Sequence, residues 1–199
     1  MNSLWAALVL AVIPFAATSY DFGPRWVEYE PEMRGEECTD ARRLDVRNMR
    51  FRPRLPEGAF EVSLKKGKAT RADDRSVSAA NWRTNLVEDR VATLEGGTAA
   101  RFVRLYDVHD TSATSREYLF VLDCADGRAR QVFEAGGEGL RIELRKIKGG
   151  EFRLTWAVWH EGDSHATPSR ERLQTYVWTP SHGRFAKVAD EERAVRTSN

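Results

Sequence analysis

The sequence predicts an all-β fold, an antiparallel meander that forms a sandwich or a partly closed barrel. Apolar and polar residues alternate along 139–147 and 151–160, which is typical of half-buried strands because successive side chains point to opposite faces. Residues 118–122 are continuously apolar, which predicts a central strand covered on both faces. No connection in the second half is long enough for a crossover helix, so neighbouring strands should pair antiparallel.

Residues 1–19 have the pattern of a secretory signal peptide. Positions 4–17 are uncharged and almost wholly apolar, and Ala17, Thr18 and Ser19 supply small side chains before a cleavage point at Tyr20. A short membrane anchor is the alternative, but a bilayer span needs about 20 apolar residues. We therefore expect an exported protein, periplasmic or extracellular, with no stable membrane span after signal removal.

The rest of the chain suits an arm followed by one β domain. Prolines and acidic residues in 20–58 predict an extended arm with little regular structure. Within it, 39–49 forms either a short helix or the approach to a strand. Residues 59–199 are the predicted antiparallel β domain.

The β domain begins with a strand at 59–65, where apolar and polar residues alternate. A short helix capped by Ser78 is predicted over 78–87. Residues 90–94 form the next predicted strand, and the glycines of 95–98 indicate a hairpin turn. The strands that follow are 100–108, 117–124, 128–134, 139–147, 151–160, 172–179 and 184–188.

The connections predict where function lies, because alternate connections of a meander share one end of the sheet. The short turns 125–127, 148–150 and 179–183 should lie together at one end. The longer connections should gather at the other end as a rim, and loops carry function more often than strands do. They are 109–116, 135–139 and 161–171.

Composition excludes some classes of partner. Charged residues are 31% of the chain, but the formal net charge is only +1, so no nucleic-acid partner is predicted. Two neighbouring segments have opposite charge, the acidic 28–40 and the basic 42–54. They either neutralise each other on the surface, or the basic segment is a docking surface for an acidic partner. No motif for a cofactor appears.

The chain contains two cysteines, Cys38 and Cys124. In an exported protein an even, low count favours a disulfide. This disulfide would tie the arm to the strand at 117–124 and stabilise the fold by about 3–5 kcal/mol in the chain-entropy model. Two free thiols or a catalytic cysteine are the alternative, although no CxxC spacing supports redox or zinc chemistry.

The densest polar cluster is the HEGDSH segment at 160–165, which supplies His160, Asp163 and His165 to the rim. His109 and Asp110 come from another rim connection. Imidazoles and carboxylates bind divalent metals and transfer protons near neutral pH. The spacing matches no metal motif, since HExxH needs its second imidazole one place earlier. We therefore name these five as binding candidates and assign no catalytic residue, metal ligand or cofactor.

Aromatic residues add Trp159 and Trp178 to the binding candidates. Trp156 and Trp159 face opposite sides of one predicted strand, whereas Tyr176 and Trp178 share a face of the next. Outward-facing rings could stack on a sugar or contact a protein. Cross-strand packing without any ligand is the alternative.

Part of the chain resembles a known family. Cys124-Ala125-Asp126-Gly127 and the strands that run on to Trp159-His160-Glu161-Gly162-Asp163 resemble the barrel of bacterial C-type lysozyme inhibitors. The resemblance implies an exported β-barrel that inserts a loop into an enzyme cleft. This chain lacks the family's closing cysteine after the loop, so no functional residue is carried over.

The sequence therefore predicts an exported binding or inhibitory β module that acts through a loop rim and exposed aromatics on a protein or carbohydrate ligand. A hydrolase or metal-dependent enzyme of the envelope, using the 160–165 loop, is the first alternative. A structural envelope protein is the second.

Overall fold

The fold is described from a computed structural model. It covers residues 20–21, 32–55, 58–72, 81–112, 114–138, 140–144, 147, 150–164 and 167–195. The predicted signal peptide lies outside the described residues. The strands are β1 (Tyr20–Asp21), β2 (Glu32–Glu37), β3 (Arg50–Phe51), β4 (Arg54–Leu55), β5 (Gly58–Ala59), β6 (Val62–Ser63), β7 (Lys68–Ala72), β8 (Asn81–Thr93), β9 (Ala99–His109), β10 (Ser115–Ala125), β11 (Arg128–Glu138), β12 (Leu140–Glu143), β13 (Glu151–Trp159), β14 (Arg170–Thr179) and β15 (Arg184–Ala194).

Two large antiparallel sheets dominate the described part of the molecule, beside the two-stranded pairs β3–β6 and β4–β5, which confirms the all-β prediction. The large sheet has six strands in the order β2-β11-β10-β9-β8-β7 and curls into a half-barrel. The small sheet has the order β1-β13-β14-β15, with β12 also paired to β13. Strands β7 to β11 and β12 to β15 follow each other in sequence, so both sheets are meanders.

The core between the sheets is rich in phenylalanine. Phe152 of the small sheet lies 4.7 Å, ring to ring, from Phe133 of the large sheet and 5.0 Å from Phe185. Phe102 approaches the same group at 6.1 Å from Phe152. These rings pack edge to face, as aromatic pairs prefer. They hold the two sheets together at the ends that lie away from the β9–β10 and β13–β14 connections.

The N-terminal arm forms a third layer on the outer face of the large sheet. Its two single-turn 3-10 helices, Ala41–Arg43 and Val46–Asn48, bury one residue each. Phe51 follows them and stacks on Phe120 of β10 at 4.9 Å between ring centroids. The arm therefore covers the buried outer side chains of β10. Residues 39–49 contain two single turns of 3-10 helix and lead into β3 at Arg50, in agreement with the predicted approach to a strand.

The predicted disulfide between Cys38 and Cys124 is present and joins the arm to the end of β10. Every residue from Tyr118 to Leu122 has no exposed surface. The inner side chains of β10 pack against the small sheet and the outer ones against the arm. The predicted central strand, covered on both faces, is confirmed.

The helix predicted over 78–87 is wrong where the structure describes it, because β8 runs through 81–93. Trp82 and Thr84 are buried on one face of β8, at 5% and 1% exposure. The strand pairs with β7 on one side and β9 on the other. Two ladders of backbone hydrogen bonds and a buried tryptophan outweigh the local capping signal.

Other boundaries differ from those predicted. The segment 59–65 contains the last residue of β5 and the whole of the two-residue strand β6, and Val62 and Leu64 are buried as the alternation predicted. Strand β12 spans only Leu140–Glu143 of the predicted 139–147. Strand β15 continues past 188 to Ala194.

The predicted rim connection at 135–139 is also wrong, since β11 extends to Glu138. Gly136 pairs with Tyr118 in this strand, and a Cβ added there would lie 2.2 Å from the Tyr118 ring. The glycine makes room for a fully buried tyrosine and does not form a turn.

The other two rim connections open at the same end of the molecule. Ser115 follows the β9–β10 turn and Pro168 lies in the β13–β14 loop, and both line one cleft. At the opposite end, Asp126 and Gly127 adopt positive φ in the β10–β11 hairpin, as a type I′ turn requires. No helix in the described residues has the length and apolar character needed to cross a bilayer.

Candidate functional site

His109 ends β9 and serves the adjacent turn. Its Nδ1 lies 3.1 Å from the Ser112 hydroxyl oxygen, and its ring stands 4.9 Å from that of Trp82. The side chain is only 9% exposed, on the outer face of the large sheet. Asp110 forms an ion pair with Arg83 at 2.5 Å. Both residues therefore have structural partners at this corner.

Asp163 organises the β13–β14 loop. Its Oδ2 accepts hydrogen bonds from the backbone N–H of His160 and from the N–H and hydroxyl of Ser169, each at 2.9 Å. These donors hold the pKa of the Asp163 carboxyl below its usual value. His160 contacts Glu192 of β15 at 3.0 Å. His165 lies outside the described residues.

The imidazoles and carboxylates of the rim do not converge on one centre. His109 faces the arm side of the large sheet, whereas His160 is held against β15 of the small sheet. The described residues contain no group of three His, Cys, Asp or Glu side chains placed to hold a metal.

The two tryptophan candidates have different environments. Trp178 is 4% exposed and packs on Phe185 at 5.2 Å between centroids, so it belongs to the core and not to an exposed surface. Trp159 lies on the opposite face of the small sheet, because β13 directs Trp156 and Val158 inward. Trp159 lines the cleft that opens at the rim end.

This cleft lies where the β12–β13 side of the small sheet meets the large sheet, and it has a volume of about 410 Å³. The large sheet contributes the ends of β9 and β10, and the small sheet contributes β12, β13 and the start of β14. Side chains with rings, carboxylates, a guanidinium and a hydroxyl share the lining. The principal ones are Tyr106, Glu117, Arg141, Thr155, Trp159 and Glu171.

A charged network adjoins the cleft at Glu117 and covers the outer edge of β12. Arg104 donates to the carbonyl oxygen of Ile142 at 3.1 Å and forms ion pairs with Glu88 at 3.0 Å and Glu117 at 3.8 Å. Arg90 donates to the Leu144 carbonyl oxygen at 3.3 Å. An unpaired strand edge exposes backbone groups that strands of other chains can pair with. At β12, the two arginine side chains bond to backbone carbonyls that a neighbouring strand would otherwise bond.

Glu117 belongs both to this network and to the cleft. Burial raises the pKa of its carboxyl, although Arg104 and the backbone N–H of Ile142 act in the opposite direction. One of its oxygens, Oε2, is buried without a hydrogen-bond donor among the described residues.

Sequence reasoning missed Tyr106, Glu117, Arg141, Thr155 and Glu171. One signal was available for Glu117, because it shares the inner face of β10 with Leu119 and Val121, and a charged residue at an inward position requires a partner. The other four look like ordinary polar positions of separate strands. Only the packing of the two sheets brings them together.

Compared with models of protein families, with curated proteins and with solved structures, the chain matches none. The resemblance to C-type lysozyme inhibitors receives no support from these comparisons.

Proposed function

We propose that the protein is an exported binding module whose ligand is a small carbohydrate that enters this cleft. The observation that carries the proposal is the composition of the lining. Two aromatic rings, Tyr106 and Trp159, share a cavity of about 410 Å³ with carboxylates and a threonine hydroxyl. Ligand pockets usually measure about 300–1,000 Å³ and combine an apolar wall with a few polar groups.

Sugars match this lining because each ring offers an apolar face and a girdle of hydroxyls. The aromatic side chains supply flat apolar surface for stacking. The Glu117 carboxylate supplies a strong acceptor, since hydrogen bonds to an ionised partner are shorter and stronger than neutral ones. The rim loop holds Pro168 at the entrance of the cleft.

Export is part of the proposal. It is supported by the apolar segment at 4–17 and by the disulfide, which persists in oxidising compartments. N-terminal sequencing of protein recovered outside the cytoplasm should begin at Tyr20. Recovery of an uncleaved chain in the cytoplasm would contradict this part.

Binding is tested by calorimetric titration of the purified chain with a panel of disaccharides, together with Trp159→Ala and Trp159→Phe. We expect Trp159→Ala to weaken binding by about ten-fold or more through loss of stacking, and Trp159→Phe to retain most of the affinity. Met33→Ala removes an exposed apolar side chain of β2 and is the matched control. Equal affinities for all four proteins would refute the cleft as the binding site.

The enzymatic alternative depends on convergent groups in the 160–165 loop. Of its named residues, His160 and Asp163 have the partners described above, and His165 lies outside the described part. The same titrations, followed by chromatography of the sugars, would detect hydrolysis. Cleavage that is lost in His160→Ala would favour the hydrolase over the binding module.

A further inference from the structure

The charges around the cleft leave one guanidinium unmatched. Three carboxylates at the cleft or directly beneath it each have an arginine partner. The pairs are Arg90–Glu88, Arg104–Glu117 and Arg193–Glu171, at 2.5, 3.8 and 2.7 Å. Arg141 also lines the cleft, and no described residue forms an ion pair or hydrogen bond with it. Among the described residues, Arg141 is therefore a cation of the cleft wall with no carboxylate at ion-pair distance.

The position of Arg141 fits contact with a ligand. It lies on β12 directly opposite Thr155 of β13, on the face of the small sheet that also bears Trp159. The Arg141 side chain is exposed. A ring stacked on Trp159 would thus have a guanidinium within the same cavity.

We infer that the cleft selects a saccharide that carries a carboxylate, and that Arg141 binds the carboxylate while Trp159 and Tyr106 contact the sugar ring. This inference rests on the proposed function and names its class of ligand. A guanidinium presents its N–H groups as a planar fork that matches a carboxylate in two parallel hydrogen bonds.

The neighbouring carboxylates favour a monoanion over a phosphate. Burial raises the pKa of the Glu117 carboxyl, and Arg141 is close enough to Glu117 to act in the opposite direction. Glu171 lies on the same side of the small sheet as Arg141 and Thr155, because it pairs with Ala157. A phosphate ester has a charge close to two at neutral pH, so both glutamates would repel it more strongly than they repel a carboxylate.

The test compares cellobiose with its uronic acid counterpart, and adds glucose 6-phosphate as the phosphate probe. Each sugar is titrated into the wild-type chain, Arg141→Gln, Arg141→Lys and the control Arg128→Gln. Arg128 is an exposed arginine at the far hairpin, so its substitution removes the same charge away from the cleft.

We expect the acidic disaccharide to bind the wild type at least ten-fold more tightly than cellobiose, in line with a hydrogen-bonded charge pair. Arg141→Gln should abolish this preference, so that the acidic disaccharide and cellobiose bind with equal affinity. Arg141→Lys should retain part of the preference, and Arg128→Gln all of it.

Three outcomes would overturn the inference. Equal binding of the neutral and acidic sugars, or a preference that survives in Arg141→Gln, rejects the role of Arg141 while the proposed function stands. Tighter binding of glucose 6-phosphate than of the acidic disaccharide rejects the carboxylate. No binding of any sugar rejects the inference and the proposed function together.

Discussion

Glu134 is a buried carboxyl that links β11 to the N-terminal arm. It accepts a hydrogen bond from the backbone N–H of Arg54 at 2.7 Å and one from the Gln131 amide at 3.1 Å. Burial nevertheless dominates and raises its pKa from 4.5 to about 6. A difference of this size corresponds to about 2 kcal/mol between the charged and neutral forms.

This carboxyl makes stability depend on pH in a defined direction. Because the pKa is higher in the folded than in the unfolded state, the stabilisation is complete below pH 4.5 and is lost as the pH rises through about 6. Urea unfolding at pH 4.5 and pH 7 should therefore give a smaller decrease in unfolding free energy for Glu134→Gln than for the wild type. Glu138→Gln, at an exposed position of the same strand, should keep the wild-type decrease. Identical decreases in the two variants would contradict the assignment.

Gly136 gives a second prediction at the residue scale. An alanine Cβ there would lie 2.2 Å from a ring carbon of Tyr118, which is fully buried and cannot move aside. Gly136→Ala should reduce the unfolding free energy by about 2–3 kcal/mol, as overpacking of a core does. Gly35→Ala is the control, since nothing lies within 4 Å of its added Cβ. A loss from Gly136→Ala that is no larger than the control's would contradict the close packing.

Single residues were predictable where strand parity alone decides their side. Tyr176 and Trp178 share a face as expected, and both are buried. Parity does not say which face meets the core, so Trp178 remained among the binding candidates. That choice depends on which sheet packs above the strand, and no property of residues 172–179 encodes it.

At the scale of elements, β12 is a strand with backbone hydrogen bonds to arginine side chains along one edge. Its outer edge has Arg104 and Arg90 in place of a neighbouring strand. Arg104→Met removes the donor to Ile142 and leaves Glu88 and Glu117 without their shared partner. We expect a loss of about 2 kcal/mol, below the value for breaking a fully buried ion pair because Arg104 is 27% exposed.

Chemical denaturation measures that loss, and Arg128→Met is the control for removal of an arginine at an exposed site. Restoration of stability in the double variant Arg104→Met/Glu117→Gln would agree with an unpaired buried carboxyl as the cause. Wild-type stability in Arg104→Met would instead mean that the edge of β12 needs no such cover.

Elements were predicted best where the apolar pattern was long. Strands β9, β10, β13 and β14 lie close to their predicted positions, because their alternation coincides with real burial on one or both faces. A helix was predicted over 78–87 because Ser78 resembles a helix N-cap. From residue 81 the segment is a strand, because it pairs with β7 on one side and β9 on the other. Short elements such as β3 to β6 depend on the sheet beneath them and carry too few residues for a periodic signal.

At the scale of the whole molecule, the disulfide ties the outer layer to the central strand. Cys38 and Cys124 are 86 residues apart. Closing a loop of this length stabilises a fold by about 4–5 kcal/mol in the chain-entropy model. The double variant Cys38→Ala/Cys124→Ala should lose an amount of this order in urea unfolding. The reduced wild type should behave similarly, and a loss below about 1 kcal/mol in both would contradict the model.

The fold class followed from the sequence because it depends on local alternation and short connections, which are visible along the chain. The cleft did not, because its wall combines β9, β10, β12, β13 and β14, and the distance between two sheets has no local signature. The predicted shared end of two rim connections is the end at which the cleft opens. Tyr106, Arg141 and Glu171 could be recognised only once the sheets were packed.

The cover that the arm provides for β10 has a consequence for the order of folding. A chain made from its N terminus releases residues 38–64 long before the strand that they must rest on, so their apolar side chains stay in water until Tyr118 to Leu122 have emerged. Cys38 likewise has no native partner until Cys124 has been synthesised. A disulfide formed earlier with another chain would block the native pairing. We therefore expect folding of this protein to depend on chaperones that shield residues 38–64 and on an isomerase that corrects wrong disulfides.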